Sequence, residues 1–407
     1  MHIVLAMIEP PLPFASAAGR WYYVLLRGLV KRGHRVTAFA CCGKPAEIEA
    51  ARVLFPPPLY DLRLFPMGVH RGWRARLHTL RRPFSYMYDE DLRKEFQVVL
   101  KQGCDVIHLE QLWSAWLGIG HEAKVLVSLH YLLEIDFAEV RPSTLSDWRY
   151  RMLEAYAERR LLGRFRHFRA CTDRIANVVT RRNPEADVSV VPFGIDTSLY
   201  AYRPDHLRPR EPMVTMIGNM AWTPSRTAAE RLLTRLWPGI KARVPEAKLR
   251  IVGWEAKRTL ARLRHDAMPD VEVLENVPRI QPYFEDASVL LYAPGQGSGM
   301  KIKIQEAMAY GVPVVTTSEG VEGLPASDGV HAGICDDDAG LIDRTVALLS
   351  DSWRQDRQRL AARQLIETFC SPVTTLDAIE AIYAKIIVTN LSGLHSQEDQ
   401  ENTFIRR

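Results

Sequence analysis

Residues 288–317, SVLLYAPGQGSGMKIKIQEAMAYGVPVVTT, constrain the fold more tightly than any other stretch of this chain. The apolar run Ser288 to Tyr292 is short and does not alternate, the pattern of a parallel strand buried on both faces. It stops at Pro294. Gly295, Gly297 and Gly299 then recur at alternate positions, where the backbone can take positive φ and a ligand can approach the main chain. A helix over 300–310 is predicted, closed by Gly311 and Pro313, and the strand VPVVTT follows. Free amides at the helix start, the positive end of the helix dipole, and Lys301 and Lys303 together form a receptor for a diphosphate. Glu306, one turn further in, would repel phosphate, so its expected partner is a pair of sugar hydroxyls. Taken alone, the stretch also fits an ordinary βαβ turn with lysines on a solvated face.

At 407 residues, 47% hydrophobic and 25% charged, the chain is expected to form two domains of ordinary globular composition. No window approaches 18 uninterrupted apolar residues, so no membrane span is predicted. The opening MHIVLAMIEPPLPF lacks a basic segment and a small-residue cleavage site and reads as a first strand, which places the protein in the cytoplasm. The six cysteines are scattered without C-x-x-C spacing, so neither structural zinc nor a disulfide framework is expected.

Taken in order, His2 to Ile8 reads as a strand, followed by a proline-rich loop, a helix ended by Gly33 and a strand from Arg35 to Cys41. This is a doubly wound α/β opening, yet it has no G-x-G-x-x-G and no acid after the second strand, which disfavours a dinucleotide cofactor. Further strands are predicted over 104–109, 124–129 and, as VSVVPFGID, 188–196. The second ends at His130, where open α/β sheets bind ligands, although a histidine hydrogen-bonded at the sheet edge fits as well. Glu110, Glu134 and Asp136 lie near strand ends, and an ordinary surface position is favoured for each. After Tyr200 the polar, proline-rich YRPDHLRPREP reads as a linker. The strand and helix pattern then restarts, with strands over 213–217, 248–252 and 271–274 and a helix over 226–243, giving a second doubly wound parallel sheet. The expected divisions are a first domain over 1–203, a linker over 204–212, a second domain over 213–370, a helix over 371–391 that packs back on the first domain, and a disordered tail over 392–407.

The net charge is +5. Segments 70–82, which includes Arg71, Arg74 and Arg76, and 149–169 mix arginine with aromatic and aliphatic residues. Three readings stay open: a solvated helix face, a patch resting on an anionic bilayer and, least favoured, a nucleic-acid surface.

Two α/β halves with the phosphate site in the second resemble the GT-B architecture, two doubly wound Rossmann-like domains facing across a cleft. The residues are similar to those of the retaining glycosyltransferases of family 4, the glycosyl transferases group 1. GQGSGMKIKIQEAMAYGVPVVTTSEGVEGL at 295–324, VVPFGID at 190–196 and GNMAWTPS at 218–225 carry the resemblance, which spans nearly the whole chain. It implies an enzyme that moves a sugar from a nucleoside-diphosphate sugar to an acceptor hydroxyl on a glycan, a lipid or a small molecule. In that pattern Glu306 binds the donor ribose, while Ser298 stands where the family's other glutamate would face the donor sugar. Gly297, Gly299, Lys301 and Lys303 serve the diphosphate, with Lys301 favoured because Lys303 can be a helix-face residue. Gly218 and Asn219 belong to the donor side, although GNMAWTPS lacks the cations usual there. Val277 to Arg279, with Val277 and Arg279 at its ends, matches the loop whose backbone reads the nucleobase. His130 matches a histidine that contacts the donor sugar, and Gly19 the first-domain glycine loop near diphosphate and acceptor.

The catalytic candidates are therefore His130 and Lys301. No cofactor beyond the donor and no metal is expected, since no DxD-type pair is evident and Asp336, Asp337 and Asp338 suit a helix start. The expected partners are the nucleotide sugar, the acceptor and an anionic membrane at the inner face, with no nucleic acid. A nucleotide-sugar epimerase of the same fold and a non-catalytic nucleotide-sugar binder are the alternatives.

Overall fold

A computed structural model describes residues 1–14, 16–68, 81–138, 142, 144–202, 211–263 and 265–405. The chain divides into two compact units, Met1–Gly194 with Pro372–Arg407, and Ile195–Ser371. The expected linker over 204–212 falls mostly outside the described residues, and the division itself comes earlier, after Gly194. Of the basic segment 70–82, only Arg81 and Arg82 are described.

The first unit is built on seven parallel strands in the order β3-β2-β1-β4-β5-β6-β7. They are β1 (His2–Met7), β2 (Arg35–Cys42), β3 (Asp61–Pro66), β4 (Val106–Glu110), β5 (Val125–Leu129), β6 (His167–Ala170) and β7 (Asp187–Val190). Every residue of β4 and β5 is buried, as the non-alternating sequence requires. Strand order reverses between β1 and β4, so a crevice opens beyond their carboxyl ends.

Two sequence expectations change here. VVPFGID supplies strand only as far as Val190. Strand β6 lies within the basic-aromatic segment and was not predicted. Its Arg169 is fully buried, the guanidinium 4.8 Å from the Trp21 ring centroid, 4.5 Å from that of Phe193 and 3.5 Å from Ser128 Oγ, so ring contacts and one long hydrogen bond replace the hydration that the sequence suggests for an arginine.

The C-terminal helix Pro372–Ile405 belongs to this unit. A Cβ at Gly28, on the helix Ala17–Lys31, would sit 2.2 Å from Leu376, so the glycine admits the close approach of the two helices. Arg32 pairs with Asp377 and Glu380 at 2.6 Å, and the Tyr383 hydroxyl lies 2.6 Å from His108 Nδ1. Residues 392–405, expected to be disordered, continue this helix. The stretch has no proline, and propagation of an existing helix costs little compared with nucleation.

The second unit has six parallel strands in the order β10-β9-β8-β11-β12-β13: β8 (Met213–Ile217), β9 (Lys248–Gly253), β10 (Val271–Glu275), β11 (Val289–Tyr292), β12 (Val314–Thr316) and β13 (Gly333–Ile334). Leu290 pairs with Val314 and Val289 with Val214, which sets β11 between β12 and β8. Here the strand order reverses between β8 and β11. The single helix expected over 226–243 is instead Thr223–Arg231, a π turn over Leu232–Leu236 and Trp237–Arg243. Pro238 has no N–H to donate and its ring crowds the preceding turn, which explains the change of register.

Candidate functional site

The glycine loop leaves β11 at the point where strand order reverses and runs into the helix Ile302–Tyr310. Its base is pinned from β12: Thr316 donates to the Tyr292 carbonyl at 2.5 Å and Thr317 to that of Pro294 at 2.7 Å. Gly297 and Gly299 have φ of 123° and 81°, in the left-handed region, whereas Gly295 does not. A Cβ at Gly297 would also lie 2.9 Å from Pro224, so this residue must be glycine for two reasons. Ile304 N reaches the Lys301 carbonyl at 2.8 Å, which leaves the amides of Ile302 and Lys303 as the orphan donors of the helix start.

The two lysines divide the work differently from the expected ranking. The Lys301 ammonium folds back on its own loop, donating to the carbonyls of Gly297 at 3.1 Å and Gly299 at 2.5 Å and lying 3.4 Å from Glu322. Lys303 is not a helix-face residue. Its ammonium crosses to the exit of β8, where it donates to Ser225 Oγ at 2.9 Å and sits 3.9 Å over the Tyr292 ring. A Cβ at Gly218 would come within 3.0 Å of it. Burial, and then the neighbouring Lys301 charge, push the Lys303 ammonium down to about 7, with the Glu306 carboxylate opposing them.

Glu306 lies one turn into the helix, 2% exposed, and accepts from the Tyr200 hydroxyl at 3.3 Å. Ser298 is buried in the loop. Asn219 is exposed and its Oδ1 caps the turn through Ala221 N at 3.0 Å.

The neighbouring strand ends complete a row. A Cβ at Gly253, which closes β9, would lie 1.7 Å from the Gly218 carbonyl oxygen. Asn276 N, just past β10, bonds the Gly253 carbonyl at 3.1 Å and leads into Val277, which is half-buried, and Arg279, which is exposed and bonds Gln281 at 3.2 Å. The carboxyl ends of β8, β9, β10 and β11 therefore carry Gly218, Gly253, the segment 277–279 and the cationic loop.

The first unit places its candidates otherwise. Gly19 is not in a loop: it is buried in the first turn of the helix Ala17–Lys31, and Ser16 Oγ takes its amide at 3.1 Å. His130 does end β5, but its ring is 7% exposed and both nitrogens are engaged. Gln111 Nε2 donates to Nδ1 at 2.7 Å, and Nε2 lies 2.5 Å from Glu110 Oε2.

Glu110, expected at the surface, is wholly buried; it also accepts from Trp21 Nε1 at 3.0 Å and lies 3.0 Å from His108 Nε2. Burial alone would raise its carboxyl, and the His130 and His108 imidazoles overcome that and hold it well below the carboxylate range. Burial pushes His130 down against the pull of Glu110. In VIHLE, His108 and Glu110 fall two apart on one face of a buried strand, a signal that the pair is internal.

Asp336, Asp337 and Asp338 all have structural partners. Asp336 accepts from Ser318, Asp337 caps the helix Asp338–Ser350 through Gly340 N at 2.8 Å, and Asp338 pairs with Arg231 at 2.8 Å. Among the described residues, no group of three His, Cys, Asp or Glu side chains stands as a metal's ligand set. No helix among them is long and apolar enough to cross a membrane.

A family model described as Glycosyltransferase Family 4 matches residues 18–199, and one described as Glycosyl transferases group 1 matches residues 211–351. No curated protein sequence matches the chain. Among solved structures, sucrose-phosphate synthase from Thermosynechococcus elongatus is 17% identical with a TM-score of 0.69, covering 98% of this chain and 99% of its own. WaaG, a glycosyltransferase involved in lipopolysaccharide biosynthesis, is 14% identical with a TM-score of 0.67 over 93% and 99%. Anabaena HepE, solved with UDP and glucose, is 14% identical with a TM-score of 0.66 over 95% and 100%. The fold is the two-domain α/β fold of GT-B glycosyltransferases.

Proposed function

The chain belongs to the group 1, family 4 glycosyltransferases and is a sugar transferase; from that premise we propose a retaining, metal-independent enzyme that uses a nucleoside-diphosphate sugar. The second unit binds the donor nucleotide and the first binds the acceptor, whose hydroxyl belongs to a glycan, a lipid or a small molecule. One observation carries the reading: the Lys303 ammonium lies 2.9 Å from Ser225 Oγ at the strand-order reversal, beside the orphan amides of the helix start. Cations and amides fixed there stabilise the departing diphosphate, the task a metal would otherwise perform. Phosphate oxygens compete with the Gly297 and Gly299 carbonyls for Lys301, and Glu306 takes the ribose hydroxyls.

In this reading the acceptor oxygen attacks the anomeric carbon on the face that the diphosphate leaves. A carbon–oxygen bond to the acceptor forms as the bond to the diphosphate breaks. The leaving oxygen keeps the electron pair and takes the acceptor proton. His130, with both nitrogens engaged by Gln111 and Glu110, supplies no base in this reading.

The test is nucleoside diphosphate release from UDP-, GDP- and dTDP-sugars, with thermal shift as the binding readout. UDP comes first because HepE was solved with it. Turnover of one donor with an acceptor supports the proposal. Epimer formation without acceptor identifies an epimerase, and binding without turnover a nucleotide-sugar binder. If no donor is turned over and none raises the melting temperature, the donor-site reading fails.

Peripheral attachment to an anionic membrane belongs to the same proposal. On the helix Leu145–Leu162, Leu145, Trp148, Met152 and Tyr156 are exposed at helical spacing, flanked by Arg149, Arg159 and Arg160. Apolar anchors within an arginine rim suit the boundary of headgroups and acyl chains. Co-sedimentation with vesicles containing phosphatidylglycerol should fall when Trp148 and Met152 are both replaced by serine; pelleting indifferent to that change and to anionic lipid removes this part.

A further inference from the structure

The second unit has another cavity, of about 540 Å³, that shares no residue with the glycine loop. Its walls are the turn before β13, the helix Asp338–Ser350 and the start of the helix Ser352–Phe369. A Cβ at Gly333 would meet Arg344 at 3.1 Å, so the glycine lets that side chain lie flat across the floor.

The hydrogen-bond inventory of the lining is one-sided. Arg344 grips both oxygens of Asp328, at 2.9 and 2.6 Å, and Ile334 N adds a third bond at 2.7 Å. Asp343 pairs with Arg243, and Gln358 Oε1 accepts from Val314 N at 2.8 Å. Most of the side-chain acceptors are thus engaged, Asp343 Oδ2 being the exception. The other groups that remain are donors: the Gln358 amide NH2 and two exposed guanidiniums, Arg354, whose nearest carboxylate is Asp351 at 3.8 Å, and Arg357. Arg357 stacks 4.6 Å from the centroid of Trp353, which is 65% exposed and keeps its other face open.

We propose that this cavity binds an anionic pyranose, a hexose phosphate or a hexuronate. The apolar face of the sugar ring lies on the free face of the Trp353 indole, which Arg357 steadies from the opposite face, and its anionic group is held by Arg354, whose planar fork matches phosphate and carboxylate. The volume falls within the range of small-molecule sites. A nucleobase fits less well, because its edge presents N–H donors to a lining whose acceptors are mostly engaged, whereas sugar hydroxyls and an anion can accept from the guanidinium and amide donors. The assignment is independent of the donor-site reading and survives if that reading fails.

Isothermal titration of the full chain, with saturating UDP to occupy the glycine loop, tests it. Glucose 6-phosphate and glucuronate are the probes, with glucose and inorganic phosphate as separate controls. At least one probe should bind with Kd of about 1 mM or tighter. Trp353→Ala and Arg354→Ala should each weaken it at least about tenfold while leaving the UDP affinity unchanged; both side chains are exposed, so the fold is not at risk. The proposal is overturned if neither probe binds, if inorganic phosphate binds as tightly as the probes, if UDP displaces them, or if the two variants bind like the parent protein.

Discussion

The two units share one topology, a parallel sheet whose strand order reverses beside the first strand, and they use the crevice it creates in opposite ways. In the first unit the polar groups there satisfy one another: the Gly19 amide goes to Ser16, the His130 nitrogens to Gln111 and Glu110, and the Trp21 indole N–H to Glu110. In the second unit the glycine loop keeps positive φ, the helix start keeps its orphan amides, and Lys303 is held by a neutral hydroxyl rather than a carboxylate. One unit turns its buried charge inward for structure; the other leaves a buried ammonium on a neutral hydroxyl. A parallel sheet supplies the location of a site, and the donors and acceptors left unspent decide its use.

Removing the charge on each side gives the sharpest test of the contrast. Glu110→Ala should cost about 3–5 kcal/mol of stability in urea unfolding, because it strands donors around a buried gap; a loss under about 1 kcal/mol breaks the comparison. Lys303→Ala should instead weaken UDP binding about 10- to 100-fold, the size of a charge-assisted hydrogen bond, with the melting temperature little moved. If its main effect is on stability, Lys303 belongs with the inward-turned groups.

The pH dependences of the two units should also differ in kind. Burial and Lys301 hold the Lys303 ammonium at about 7, so it is charged below that value and neutral above it. UDP affinity should therefore be highest below about pH 7 and decline above it, and the dependence should flatten in Lys303→Met. A flat profile for the parent protein refutes the assignment.

In the first unit, burial pushes the Glu154 and Glu158 carboxyls up from 4.5 to about 8 and about 7. The folded chain then holds protons that the unfolded chain has released. The stability they supply is complete below about 4.5 and is lost as pH rises toward 8. Glu154→Gln should thus raise the melting temperature at pH 8 by a few degrees, about 2–4 °C per kcal/mol recovered, and leave it unchanged at pH 4. No gain at pH 8 would mean that the carboxyl is charged in the folded state.

Much of the fold is written in local pattern. The short non-alternating strands and the helices between them place β1, β2, β4, β5 and β8 to β12 within a few residues, and the glycine loop falls between β11 and its helix where the pattern puts it. Elements whose apolar character comes from tertiary burial are hidden: β6 carries Arg169, which the Trp21 and Phe193 rings and the Ser128 hydroxyl make tolerable inside the sheet. Side-chain partners were legible only where they are neighbours in sequence. Asp337 caps the helix that follows it, as its position suggests, whereas the distant pairings of Glu110 with Trp21 and of Lys303 with Ser225 are not.

By itself, then, the sequence determined the fold class and the place of the glycine loop with its two lysine cations, because each depends on residues close together in the chain. Only the tertiary structure decided which of those cations is spent on its own loop and which reaches the exit of β8. It likewise decided that His130 is locked into a buried network. A side chain's availability depends on what the rest of the fold brings within hydrogen-bond reach, and no local pattern encodes that.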